Sequence, residues 1–374
     1  MAADFNSLGQ LAQAAVAAGV VPGLVVAVGQ GGQVRFLSAF GQSQIQPKPR
    51  PTRPETVYDL ASLTKALVTS LLVMRGVDSG LLQLDRPLGN HIELLAHRPE
   101  VTLRRTLAHA GGFVAHRKFY DSVLDAGGPT ALSRASIVRL AAAEALAYAP
   151  GSRSVYSDLG FILLGDALET CLGARLDVLA QRLLFGPLQL ASMGFVDVMA
   201  RPAQREFHGQ DVAATELCPK RGRMLVGEVH DLNAYAMGGV AGHAGLFGNA
   251  SDVLRLAFAL CAAFRGGAGA VASPEVVRLF WQPAGIPDST WRLGWDGPAP
   301  SGSLAGSLLS RRAVGHLSFT GCSLWIDPEE ETCVVVLCNR VHPKVPDGAQ
   351  AGAFRALRPA LNDAALAAIG YRAR

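Results

Sequence analysis

The chain has 374 residues, 49% of them hydrophobic and 17% charged, with a net charge of +4 at neutral pH. That length supports a large core in one or two domains, and so apolar a chain is not a disordered one. A small net charge without a basic run argues against a nucleic-acid partner.

Residues 1–4, Met-Ala-Ala-Asp, supply no positive n-region, and the first basic residue is Arg35. The expectation is a cytoplasmic protein, or a periplasmic one if a leader was removed. The longest apolar stretch, residues 14–29, is broken by Gly19, Pro22 and Gly23, so no membrane span is expected. Residues 7–18 read as a helix, with Leu8, Leu11 and Ala15 on one face. Residues 24–29 and 34–40 read as strands joined by a turn at Gly31-Gly32. Residues 42–55 are polar and proline-rich, a surface loop. From Ser62 to Phe264 the signals are mostly helical, over 65–75, 135–147, 160–171, 176–183 and 250–264. A long Gly- and Pro-containing loop spans 199–240, and a loop of that length is more often functional than idle. Strands return at 323–326 and 332–337 around a turn at 327–330, and a helix over 348–368 closes the chain.

The six cysteines are Cys171, Cys218, Cys261, Cys322, Cys333 and Cys338. None pairs at metal-ligand spacing, so they read as buried free thiols, and no metal is expected. Cys333 and Cys338 lie an odd number of residues apart on one strand and face opposite sides. Strands at both chain ends enclosing a helical middle give an α/β fold of the α+β kind. Its antiparallel sheet is built from both termini with flanking helices, beside a mostly helical second lobe. The expected division is residues 1–60 with 265–374 as the sheet domain and 61–264 as the helical domain, with the active site in the cleft between them.

Three segments carry chemistry. Ser62-Leu63-Thr64-Lys65 stands where a polar approach passes into a nearly all-apolar helix. Ser62 then lies near the free N–H groups of the first turn, and Lys65, three residues on, shares its face. An amine in a tight pocket can lose its proton near neutral pH and activate a hydroxyl. By itself the tetrad also describes an N-cap serine followed by a solvated lysine. Tyr156-Ser157-Asp158 follows a Pro-Gly turn. Ser157 or Asp158 can cap the next helix, which leaves Tyr156 on a loop facing a cleft, or packed beside the cap. His316 and Ser318 line a strand edge before the C-terminal hairpin, and the backbone N–H of Phe319 with that of Ser62 suits an oxyanion hole. His230 and Asp231, in the long loop, are candidates for the substrate pocket. His243 reads as structural between glycines, and His109 as a backbone partner at a helix end.

In this order the three segments resemble the serine β-lactamase and penicillin-binding-protein family, the class C-like, esterase-like branch. Ser62 to Lys65 matches its Ser-x-x-Lys, Tyr156-Ser157-Asp158 its Tyr-x-Asn, and His316-Leu317-Ser318 its Lys-Thr-Gly. Segments 107–112, 227–234, 242–247 and 323–328 add to the likeness, which runs from about Pro22 to Pro343. Asp158 stands for an asparagine, so an amide donor becomes an acceptor-only carboxylate. Ser318 stands for a glycine, whose side chain would narrow the cleft.

The resemblance implies a β-lactamase/transpeptidase-like fold and a serine hydrolase working through an acyl-enzyme. Ser62, Lys65 and Tyr156 would be catalytic, the N–H groups of Ser62 and Phe319 would hold the oxyanion, and Asp158, His316, Ser318, His230 and Asp231 would contact substrate. No cofactor is implied. The partner is a small amide or ester: a β-lactam, a cell-wall fragment or D-amino-acid peptide, or a simple ester. The two departures favour a small ester or amide. The alternative is a non-catalytic sensor or scaffold that keeps the fold.

Overall fold

A computed structural model describes residues 3–204, 206, 207, 209–267 and 271–372. Met1 and Ala2 of the leader reading, and Arg205 and His208 of the long loop, lie outside the described residues. The strands of the main sheet are β1 (Gly23–Gln30), β2 (Gln33–Gln44), β3 (Val314–Leu317), β4 (Ser323–Asp327) and β5 (Thr332–Cys338). The longer helices are α1 (Asn6–Ala17), α2 (Leu71–Asp78), α3 (Ser133–Ala143), α4 (Asp158–Leu172), α5 (Ala250–Phe264) and α6 (Gly348–Ala368). In space the sheet runs β2-β1-β5-β4-β3, with the two-residue strand Arg50–Pro51 beyond β2. Every pairing is antiparallel. β5 lies between β1 and β4, so the chain ends meet in the middle of the sheet.

β1, β4 and β5 are buried on both faces, and the period of two along β1 and β5 sorts their side chains into two layers. Leu24, Val26, Val28, Val334, Val336 and Cys338 face one layer, shared with Leu8 and Ala12 of α1 and Phe354, Leu357 and Leu361 of α6. Val25, Ala27, Cys333, Val335 and Leu337 face the other, where α5 crosses β1 and β5 and the core continues into the helical segments. Cys333 and Cys338 therefore point to opposite faces, as their odd separation requires. Among the described residues no helix is long and apolar enough to cross a membrane.

The antiparallel, mixed fold is the one expected, and its differences are local. β2 runs on to Gln44, because Arg50 and Pro51 fold back and pair with Gln44 and Gln42 inside the segment read as loop. The segment after Ser62 is π-wound over Lys65–Ser70 before α2, with the Ser70 hydroxyl donating 2.7 Å to the Lys65 carbonyl. The helix read over 176–183 is α-helical at Leu176–Ala180 and π-wound at Gln181–Phe185. The long loop contains the helix Leu232–Ala236 and a hairpin of Leu217–Cys218 with Arg223–Met224. A small sheet of Tyr58–Asp59, Leu246–Gly248 and Gly194–Phe195 was not read from the sequence. Strands of two or three residues carry no periodicity. This small sheet nonetheless brings Asp59 to the threshold of Ser62.

β3 is an edge strand held against β4, with His316 opposite Leu324 and Gly315 opposite Trp325. A Cβ on Gly315 would sit 2.3 Å from the Trp325 ring and 2.5 Å from the Leu324 carbonyl oxygen. We expect Gly315→Ala to displace β3 and to cost about 1–3 kcal/mol, the usual penalty of overpacking. Urea unfolding measures it, and an unchanged midpoint with an unchanged slope contradicts the packing described.

Candidate active site

Ser62 follows a backbone kink. Ala61 has φ +44°, a left-handed conformation that a residue with a Cβ adopts at a cost. The kink is held from outside. Asp59, fully buried, accepts from the Ala61 N–H at 2.8 Å and from the His230 N–H at 2.6 Å. Burial pushes its carboxyl up, and these two donors pull against that shift. Asp59 was not singled out in the sequence. Its signal there is only that of an Asp two residues before a turn.

Lys65 is buried without solvent contact. Its Nζ lies 3.2 Å from Ser62 Oγ, donates 2.9 Å to the His243 carbonyl and sits 2.8 Å from Asp158 Oδ1. The Tyr156 ring is centred 4.9 Å from Nζ, and Lys65 and Ser62 both pull its phenol down against burial. Burial alone would strip the Lys65 proton, but the Asp158 carboxylate outweighs it and holds the ammonium well above its usual range. For Asp158, burial favours the neutral acid, yet Lys65 and then His116 drive it well below the carboxylate range. Burial raises the Tyr156 phenol, with Lys65 opposing. At neutral pH the group is thus an ammonium, a carboxylate, a neutral phenol and a neutral hydroxyl. The Asp158 carboxylate that favours the ammonium stands at the position where the family has an amide.

Asp158 opens α4, and Ser157 caps it, its hydroxyl accepting from the Gly160 N–H at 3.4 Å. The second oxygen of Asp158 meets Nδ1 of the half-exposed His116 at 3.2 Å, and that contact raises the imidazole. Around Tyr156 stand His109, Trp291 and His316, with ring centroids 4.6, 5.6 and 6.1 Å away. His109 accepts the Ser157 N–H on Nδ1 at 3.1 Å, a backbone contact as expected. His316 is buried, and burial followed by the Lys65 charge pushes it down to about 3, so it is neutral. Its Nδ1 lies 2.8 Å from the Leu317 carbonyl, and among the described residues its Nε2 has no partner. Trp291 and His116 were not read from the sequence, since nothing near them in the chain marks a site.

The turn after β3 is tied to the approach to Ser62. Thr320 Oγ1 donates 2.8 Å to the Asp59 carbonyl and lies 3.0 Å from the Ser318 hydroxyl. Ser318 was expected beside substrate and narrowing the cleft. Instead it is buried, its hydroxyl turned into the turn because Thr320 offers a partner there. Phe319 is half exposed, its ring stacked on His230 at 5.5 Å. Among the described residues, the backbone N–H groups of Ser62 and Phe319 donate to no acceptor. His230 Nε2 meets Glu216 at 3.1 Å. Asp231 caps the helix Leu232–Ala236 and meets His243 Nε2 at 2.9 Å, which with the Lys65 contact makes His243 a bridge into the site.

The sequence pattern of the beta-lactamase family matches residues 8–357. The chain belongs to the beta-lactamase family. It is 30% identical over 356 residues to a putative D-alanyl-D-alanine carboxypeptidase of Escherichia coli O157:H7, covering 87% of this chain and 80% of that one. It is 29% identical over 366 residues to an N-acetylmuramyl-L-alanine amidase of Bacillus subtilis, covering 90% and 81%. Its fold matches that of EstCE1, a hydrolase with promiscuous acyltransferase activity, at a TM-score of 0.73 and 21% identity, covering 95% and 97%. As a beta-lactamase family member the protein is a serine hydrolase.

Asp158→Asn should cost about 2–4 kcal/mol, somewhat under the usual penalty for breaking a buried pair because Asp158 is 16% exposed. The folded carboxyl lies below its unfolded value, so its contribution is present above about pH 4 and lost as pH falls through the folded value. Urea unfolding of both proteins should therefore show a stability gap that narrows below about pH 4, and a gap independent of pH contradicts the pairing.

Proposed function

We propose that Ser62 attacks the carbonyl of a small amide or ester and carries the acyl group until water releases it. The observation that carries this reading is the convergence of the Ser62 hydroxyl and the Lys65 amine at 3.2 Å, with the Tyr156 ring centred 4.9 Å from that amine. The charge state sets the roles. An ammonium has no lone pair, so Lys65 does not take the Ser62 proton in the resting site; Tyr156 takes it as the phenolate, which the Lys65 charge stabilises. The phenol then returns the proton to the leaving group, and the cycle repeats with water as nucleophile. The N–H groups of Ser62 and Phe319 receive the developing oxyanion.

His316, His230 and Asp231 line the cleft around this centre. Asp158 acts through Lys65, and Ser318 acts through the turn that presents Phe319. We take residues 1–60 with 265–374 as one lobe and 61–264 as the other, α5 of the second packing on the sheet of the first, so that Ser62 and Tyr156 come from one side of the cleft and Phe319 from the other. D-amino-acid peptides and cell-wall fragments join short esters as candidate substrates, supported by the carboxypeptidase and amidase among the relatives. β-Lactams are expected to acylate Ser62 and to be released slowly, because Asp158 offers a carboxylate where the family offers an amide.

Ser62→Ala should lower turnover of a short-chain p-nitrophenyl ester by at least about a thousandfold with the fold intact. Intact mass after a fluorophosphonate should show one adduct, at Ser62. Residual activity within tenfold of wild type, or an adduct elsewhere, overturns the assignment.

The raised phenol predicts kcat/KM climbing with pH through the neutral and alkaline range. Asp158→Asn removes a carboxylate that helps to raise the phenol, so the climb moves to lower pH. A shift to higher pH, or none, counts against the charge state described.

A further inference from the structure

The Ser318 carbonyl and the Phe319 N–H belong to one peptide group, so whatever holds the carbonyl also aims the N–H. Arg358, on α6, donates from Nη2 to the Ser318 oxygen at 2.7 Å, and the Gly321 N–H donates to the same oxygen at 3.3 Å. Arg340, just after β5, donates from Nε to the next carbonyl, that of Phe319, at 2.8 Å. Its guanidinium lies 5.1 Å from the Phe319 ring centroid. Both arginines flank the Phe354 ring, at 4.8 and 5.2 Å.

Neither has a counter-ion. Among the described residues no carboxylate lies within ion-pair distance of Arg340 or Arg358, whereas Lys65, Arg221 and Arg134 are paired with Asp158, Glu228 and Glu169; the buried Arg292 likewise donates to backbone carbonyls, those of Trp281, Arg311 and Ala313. Among the described residues the buried Arg358 Nε has no hydrogen-bond partner. Burial lowers its guanidinium to about 10, so it remains charged at neutral pH. A cation kept from water with no carboxylate is costly, and a turn carbonyl needs only a neutral donor.

We propose that Arg358 is a positioning residue for the oxyanion hole: pressed against the Ser318 oxygen, its charge polarises the Ser318–Phe319 peptide and strengthens the Phe319 N–H as a donor. Hydrogen-bonded dipoles in series reinforce one another, and a fixed positive charge behind the donor favours negative charge in front of it. A carboxylate beside Arg358 would cancel that field. The charge it answers is instead the oxyanion, which exists only in the tetrahedral state. Arg340 clamps Phe319 from its other side. The inference rests on the assignment of the Phe319 N–H made above.

The test compares wild type with R358Q, R358K and R340Q on a short-chain p-nitrophenyl ester, together with the Kd of phenylboronic acid, whose serine adduct is a tetrahedral anion. R358Q should lose about tenfold to a hundredfold in kcat with KM within about threefold, and boronate affinity should fall in step with kcat/KM. R358K, which keeps the charge, should recover most of the loss. The proposal is overturned if R358Q turns over within twofold of wild type, if its loss appears in KM with boronate affinity unchanged, or if R358K is no better than R358Q. Should R358Q fail to fold by circular dichroism, R340Q carries the test through the same kcat and boronate readouts, with a loss of about threefold to tenfold supporting the proposal and none overturning it. Fluorophosphonate labelling of wild-type Ser62 separates the two readings: no label sinks the proposed function, whereas a labelled Ser62 with an indifferent Arg358 sinks only this inference.

Discussion

The contact between Lys65 and Asp158 organises the site. Two opposite charges 2.8 Å apart, one without solvent contact and the other 16% exposed, hold each other ionised against the pull of burial. That pair sets the charge state in which Ser62 and Tyr156 meet. It also joins the segment after Ser62 to α4, because Lys65 belongs to the first and Asp158 opens the second. His243 closes a third side through its carbonyl, and His116 meets the outer carboxylate oxygen.

A second tie brings the far side of the cleft into register. Thr320 binds the Asp59 carbonyl, while the Asp59 carboxylate holds the Ala61 and His230 N–H groups. The kink before Ser62, the turn bearing Phe319 and the start of the helix Leu232–Ala236 are thus hung on one buried residue. Three segments far apart in the chain cannot keep a hydroxyl and an N–H in a fixed relation without such a joint, and catalysis by a preorganised donor depends on that fixity. The strain at Ala61 is affordable because the joint determines the backbone on both sides.

Charge is placed unevenly around the cleft. On the Tyr156 side Lys65 is answered by Asp158, whose outer oxygen also meets His116. On the Phe319 side two guanidiniums face backbone carbonyls and an aromatic ring with, among the described residues, no carboxylate in ion-pair range. The first arrangement stores a proton in a definite place. The second leaves a field directed at the position where a tetrahedral oxygen would sit, and its use lies in being unanswered until a substrate reacts.

By itself the sequence determined the framework. Long elements with clear periods, α5 and α6, fall where apolar spacing put them, and the period of two along β5 sent Cys333 and Cys338 to opposite faces. Ser62, Lys65 and Tyr156 were legible because a hydroxyl, an amine and a phenol in apolar surroundings stand out against their neighbours. Only the tertiary structure decided the rest. Whether Lys65 keeps its proton depends on Asp158, ninety-three residues away by subtraction of their numbers, and no local pattern measures that distance. The Ser318 hydroxyl turns from the cleft because Thr320 is nearer. Asp59, Trp291 and Arg358 look ordinary in the chain, for their roles are contacts with distant segments, and such contacts exist only once the sheet has brought both chain ends together.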